Sequence, residues 1–531
     1  MTWLTRCSLA LGLLGLFSLV ALVLPSLLDP TAASPEKRLR DRLWINSSPY
    51  VVDRQLCRWL GLCGLQHLRQ DPAALSENGG DGGDDSGGGN GAIADEVWGE
   101  LRRRALKHPE PRASKQQRRR ILKDVPDYVV KHAPLVHLYS GEEFWPSDIQ
   151  EHLQHMEVQI DNAVYNDSTA WSLDNLAQLN RRRGSLSLHS RDDVESRPAW
   201  LHSRQNTPSD FPSHAGGHAH APKLGSADDA PAGGEPTTWF DVDKHHRLHR
   251  IVPPRSARKK PPGPAPGQPR VFGRGHKPDA AGYSRAPAVL VLVDKGSGIV
   301  DAFWFFFYSY NLGQTVLGIR FGNHVGDWEH CMMRFEHGVP RGIYFSEHEG
   351  GQAYAWEAVE KRGQRPVIYS ALGSHAMYAL PGNHAYILPF GLLKDVTDKG
   401  PLWDPALNNY AYHYDATRDH DAPQSHDINT DPLQGHDKHD WQRAEQHSHS
   451  HSLTPAAKNP NAPTSWFHYR GHWGDELYLL ADPRQWRLFG QYHYVTGPTG
   501  PKFKQLARSK LCRGTRCRIL HRLDPNGKWY S

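Results

Sequence analysis

The first pattern along the chain is an uncharged run from Cys7 to Leu28, rich in Leu, Val and Ala. A helix of that length can cross a hydrocarbon core of about 30 Å. The run follows Arg6 and ends at Asp29-Pro30, and Thr31-Ala32-Ala33-Ser34 is a weak cleavage site, so residues 1–30 are predicted to form an uncleaved signal anchor. Residues 31–124 read as a charged stalk and linker. They hold helical character around Val51 to Leu68, a glycine-rich stretch at 78–91 that cannot pack, and a basic helical stretch from about 93 to 123. Strand-like alternation begins near Asp127, and a short helix is predicted to start at Pro146-Ser147-Asp148. The segment from Ala286 to Gly313 predicts strands about a turn at Gly296-Ser297-Gly298. Its FWFFFY run at 303–308 is too short to span a membrane and reads as a strand buried on both faces. From 314 to 415, short apolar strands alternate with Gly or Pro turns, and strands resume from Trp466 to about Lys510. The pattern lacks the long helices of parallel β-α-β units and predicts a mainly β, sandwich-like domain over 125–512 with short helices. Two inserts, about 182–282 and 418–464, are expected to be disordered, and 513–531 to be a tail.

Composition locates the core. Trp (17), Tyr (20) and Phe (16) gather in 125–171, 283–413 and 466–495, whereas Gly (48) and Pro (40) dominate the linkers and inserts. A net charge of +5, with its basic runs in low-complexity sequence, argues against a nucleic-acid partner. Cys57 with Cys63, and Cys512 with Cys517, are spaced for short-loop disulfides in an oxidising compartment, while Cys331 sits in an apolar strand as a buried thiol. Sequons at Asn46 and Asn166 favour a lumenal domain on a membrane of the endoplasmic reticulum, Golgi or vacuole, although Lys37, Arg38, Arg40 and Arg42 would favour the cytosolic side.

The most pointed segment is Gly322-Asn323-His324-Val325-Gly326-Asp327-Trp328-Glu329-His330. In a strand Asp327 and Glu329 share a face and Trp328 takes the other. A bend at Gly322 or Gly326 could bring His324 round to the acids, giving a mixed N/O site suited to Mg²⁺, Ca²⁺ or Mn²⁺. The bland alternative is a pair of solvated acids on an edge strand beside a turn histidine. The apolar CMMRF that follows weighs for burial, and buried acids need a partner. His348 and His375 recur at strand ends as further site candidates. A Ser374-His375-Asp327 triad is disfavoured because adjacent strand residues diverge. The histidines at 436, 439, 447, 449 and 451 could bind Zn²⁺ or Cu²⁺ loosely.

The stretches APLVHLYSGEEFWPSDI, GNHVGDWEHCMMRF, GIYFSEHEGGQAYAW, RPVIYSALGSHAMY and GHWGDELY resemble the fungal vacuolar protein sorting-associated protein 62 family. That resemblance implies a part in delivering proteins to the vacuole and supplies no molecular mechanism. The DWE core is also similar to that of the necrosis-inducing, ethylene-inducing peptide-like proteins. There the corresponding His, Asp and Glu hold a divalent cation on a β-sandwich that contacts membrane glycolipids. This similarity would put ligands on His324, Asp327 and Glu329, with Asn311 the nearest candidate for a further one. The expectation is a membrane-anchored, non-enzymatic sorting factor with a cation-dependent site for a lipid or glycan. A metal-dependent hydrolase of the secretory pathway is the competing expectation, and a glycan- or lipid-binding module without a sorting role the third.

Overall fold

The computed structural model describes residues 11–19, 35–70, 123–167, 169–201, 276–348, 350–385, 394–419, 452–513 and 517–523. The fold is mainly β with short helices. Its strands include β1 (Leu135–His137), β2 (Met156–Ile160), β3 (Leu186–Ser190), β4 (Ala288–Gly296), β5 (Ile299–Asn311), β6 (His324–Glu336), β7 (Val339–Phe345), β8 (Gln352–Ala355), β9 (Arg365–Ser370), β10 (Leu402–Trp403), β11 (Asn409–Tyr414), β12 (Leu453–Pro455) and β13 (Ile519–Leu520). An eight-stranded sheet runs in the order β12-β11-β4-β5-β6-β7-β8-β13, and a five-stranded sheet is built on β9, β1 and β10.

The long central strands β5 and β6 have core on both sides. Phe303, Phe305 and Phe307 enter one cluster with Val289, Val291 and Trp328. Trp304, Phe306 and Tyr308 enter another, which unites the eight-stranded sheet with Val136, Ile368 and Trp403 of the five-stranded one. Each such side chain contributes roughly 2–3 kcal/mol by leaving water, so this pair is strongly held within the described fold. The helix expected after Pro146 is Ile149–Gln154, begun by Asp148, whose carboxylate accepts the Gln150 N–H at 2.7 Å.

Three segments differ from the sequence expectation. The stalk is partly folded: α1 (Pro35–Asn46) and α2 (Val51–Leu60) pack on the domain through Trp44, Ile45, Cys57 and Cys63 against Leu480. The Trp44 indole N–H donates to the Tyr478 carbonyl at 2.8 Å, and Cys57 is bonded to Cys63 with S–S 2.03 Å. Residues 182–201, assigned to the first insert, carry β3, which pairs with β2. At the end of the second insert, β12 pairs with β11, and in the tail β13 adds to β8 beyond the Cys512–Cys517 bond. A few apolar residues in polar surroundings suffice when a sheet edge already exists to receive them. Window composition does not register that.

Of the expected anchor, residues 11–19 are described. They are helical and expose Leu11, Leu13, Leu14, Leu16 and Leu19. Among the described residues no helix is long and apolar enough to cross a membrane. The rest of that run, the glycine-rich linker, residues 202–275 and the histidines of 436–451 lie outside the described residues.

Candidate functional site

Strict alternation would put Val325 and Trp328 on opposite faces of β6, yet both enter the same core cluster. The alternation reverses at Gly326, whose φ is +69°. A Cβ there would lie 2.2 Å from the Trp473 carbonyl oxygen, so glycine is required by both conformation and space. The partner strand reverses as well, since Tyr308 and Tyr310 flank Ser309 and enter opposite clusters. The result is that His324, Asp327 and Glu329 look to one side while Trp328 stays in core with its ring 4.8 Å from that of Phe307.

Behind this row lies a buried ionic layer. His375 is fully buried, stacked 3.7 Å from the Tyr308 ring, with Nδ1 2.9 Å from the Asp327 carboxylate and Nε2 3.1 Å from the Phe144 carbonyl. Both ring nitrogens face acceptors, which calls for a doubly protonated imidazolium. Burial opposes that charge, but the hydrogen bond to Asp327 and the nearby Glu142 outweigh it and raise the His375 pKa. Glu142, 3.9 Å from the same ring, accepts the N–H groups of Glu143 and Phe144 at 2.8 Å and of Gly373 at 2.9 Å. Asp395, also buried, accepts from Ser374 (2.8 Å), Tyr378 (2.7 Å), Gln314 (3.1 Å) and His348 (2.8 Å). Burial would lower His348, yet Asp395 overrides it and carries the imidazole up to about 9. Glu329 takes a hydrogen bond from the Ser346 hydroxyl and is pushed up to about 7 by burial and by the negative Asp327. Burial also lowers His324, against the pull of Asp327.

His324 and Glu329 are half-buried and the His348 side chain is 30% exposed, so these three form the row that reaches solvent; Asp327, His375, Glu142 and Asp395 stand behind it. Asn311 lies opposite His324 in the ladder and spends its amide on the Gly322 carbonyl at 2.9 Å. As placed, each of the three candidate ligands is engaged within the protein. Asp327 is turned to His375, Glu329 to Ser346, and His324 Nδ1 to the Gly326 carbonyl at 2.6 Å. Among the described residues no three His, Cys, Asp or Glu side chains are grouped to hold a metal ion. A Ser374-His375-Asp327 relay is likewise absent, because Ser374 bonds Asp395 instead. Both sequon asparagines are exposed, Asn46 at the end of α1 and Asn166 beyond Val164.

Sequence reading missed Glu142, Ser346 and Asp395. Glu142 sits in a Gly-Glu-Glu turn before an aromatic pair, a weak signal for a buried acid; Asp395 has no local signal at all.

Residues 296–397 match the family model described as vacuolar protein sorting-associated protein 62. The chain is 34% identical over 420 residues to the putative vacuolar protein sorting-associated protein TDA6 of Saccharomyces cerevisiae, covering 74% of this chain and 69% of that one. It is 32% identical over 409 residues to the vacuolar protein sorting-associated protein 62 of the same yeast, covering 73% and 68%. Among solved structures it is similar to necrosis and ethylene inducing protein 2 from the agent of cocoa's witches' broom disease. That match has 17% identity and a TM-score of 0.14 over 18% of this chain and 45% of that one, a likeness on which nothing is built.

Proposed function

The chain belongs to the vacuolar protein sorting-associated protein 62 family, and from that premise we propose that it is a membrane-anchored factor in protein delivery to the vacuole, which binds a ligand at the rim of β5 and β6 without turning it over. The observation that carries the sorting role is identity of 34% and 32%, over about three quarters of the chain, to a putative and a named vacuolar protein sorting-associated protein. The uncharged run from Cys7 to Leu28, with exposed leucines where it is described, supports the anchor, and the sequons support a lumenal domain.

Of the two groups a hydrolase would use to shuttle protons, His375 and Glu329, His375 is unsuited. It has no exposed surface and both of its nitrogens are engaged, so it cannot shuttle a proton to a substrate at the rim. It is a positioning residue that fixes Asp327. The groups a ligand can meet are Glu329, His324 and His348. An acid that titrates near neutrality beside two imidazoles offers both acceptors and donors, which suits the hydroxyl-rich head of a glycan or glycolipid. A second reading keeps a divalent cation. It is favoured by the reversal at Gly326, which brings His324, Asp327 and Glu329 to one side, and it requires His375 and Ser346 to release the two acids.

The test is complementation of a deletion strain. The Glu329→Gln and His348→Gln variants, expressed at wild-type level, are expected to leave vacuolar cargo missorted. Normal delivery by the double variant would remove the rim from the function. Elemental analysis of the full chain beside Glu329→Gln decides the cation, and turnover on an ester or glycoside panel would revive the hydrolase.

A further inference from the structure

A second cluster of charge lies across β6 from the rim, where the loop from Pro501 to Cys512 covers His330 and Tyr344. The Arg508 guanidinium sits 4.7 Å over the Tyr344 ring and 5.0 Å over that of Phe303, and the residue is 7% exposed. Its Nε donates to the Leu511 carbonyl at 3.2 Å and its Nη1 to the Lys504 carbonyl at 3.0 Å, while Nη2 is buried without a partner. Arg513 Nε is buried without a partner too, as are both ring nitrogens of the fully buried His330. The charges of Arg508, Lys504 and Arg513 all bear on that imidazole.

The acids nearby do not balance these cations. Asp301 is taken by Arg334, at 2.7 and 2.8 Å, and by Lys295 at 3.8 Å. Glu329 faces Lys504 but already holds the Ser346 hydroxyl. Glu347 bears on Tyr344 from the same neighbourhood, but burial pushes it up to about 8 and so favours its neutral form, leaving the three cations short of negative charge. Buried donors left unmade cost about 1–3 kcal/mol each, more when charged. A fold that keeps several of them in one place holds them for an acceptor supplied from outside. We propose that Arg508, Arg513, Lys504 and His330 form a binding site for a phosphate-type oxyanion. The donors to hand are a guanidinium Nη2, a guanidinium Nε, an ammonium and an imidazole N–H. They match the three or four oxygens of a phosphate or phosphate monoester better than the two of a carboxylate. Burial and the neighbouring cations already bring Arg508 down to about 10, the strain an anion would relieve.

Lys504, which also bears on Glu329, joins this site to the rim, whereas Arg508, Arg513 and His330 have no part in the function assigned there. The test uses the full chain in detergent, with thermal unfolding and calorimetric titration against inorganic phosphate, sodium chloride at matched ionic strength, dihexanoyl phosphatidic acid and dihexanoyl phosphatidylcholine. Phosphate or phosphatidic acid is expected to raise Tm where chloride and phosphatidylcholine do not. Arg508→Gln is expected to abolish the shift, and Arg513→Gln, at a half-exposed position that keeps the fold if Arg508→Gln does not, to weaken affinity by about tenfold, or about 1.4 kcal/mol. A response to phosphatidic acid alone identifies a lipid headgroup, and a response to phosphate as well identifies the free ion or any ester of it. No shift with either, or an equal shift in the wild type and Arg513→Gln, overturns the proposal.

Discussion

At the scale of single residues, the buried histidines divide by what surrounds them. His375 keeps its charge because an acid accompanies it; His152 loses its charge because none touches it. His152 is 1% exposed, Nε2 bonds the Trp473 carbonyl at 3.0 Å, and burial pushes it down to about 4. With a folded pKa below the ordinary 6.5, the unfolded chain binds the extra proton between those values. The contribution of His152 is then complete above pH 6.5 and is lost as pH falls toward 4, by roughly 3 kcal/mol. Urea unfolding of wild type and His152→Gln across that window should show the wild type losing stability more steeply, and parallel curves would mean that the ring is hydrated. For the Asp327–His375 pair the expectation is a penalty that follows charge. Asp327→Ala strands a buried imidazolium and should cost about 3–5 kcal/mol. Adding His375→Gln should recover part of that, a coupling that a double-mutant cycle measures directly.

At the scale of the strand, Gly326 carries the site. Its positive φ turns β6 over, and the absence of a Cβ lets Trp473 approach. Gly363 has a similar φ, +64°, with nothing within 4 Å of the place a Cβ would take. Gly363→Ala should therefore cost about 1 kcal/mol, from the left-handed conformation alone. Gly326→Ala should cost at least about 2 kcal/mol more and alter the near-ultraviolet dichroism of Trp328. Equal costs would mean that Trp473 gives way freely. This comparison also marks how far the sequence could be read. Period-two alternation identifies β5 and β6, and the glycine suggests a bend, because both signals are local. It cannot show that Ser309 reverses in step with Gly326, or that Asp327 meets a histidine 48 positions away. Glu142 is legible only once Gly373, 231 positions away, and His375 arrive beside it, contacts that no window contains.

At the scale of the whole chain, the charged segment before the glycine-rich linker is structural as well as connective. Trp44 and Ile45, 5% and 3% exposed, close over Leu480 and Tyr492. Arg487 lies 4.6 Å over the Trp44 ring and pairs with Asp41. Burying those two side chains contributes roughly 4–6 kcal/mol before the entropy of ordering the helices is subtracted, and the Cys57–Cys63 loop adds about 2 kcal/mol by limiting the unfolded chain. The chain from Pro35 is thus tied to the β domain at a defined face, the one carrying Leu480. A fragment starting at residue 125 should unfold several degrees below the full chain, and Cys57→Ser with Cys63→Ser should fall between the two. Protease cleavage within α1 and α2 should quicken in the cysteine variant while the β5–β6 core stays resistant. If fragment and full chain melt together, the helices rest on the domain without stabilising it.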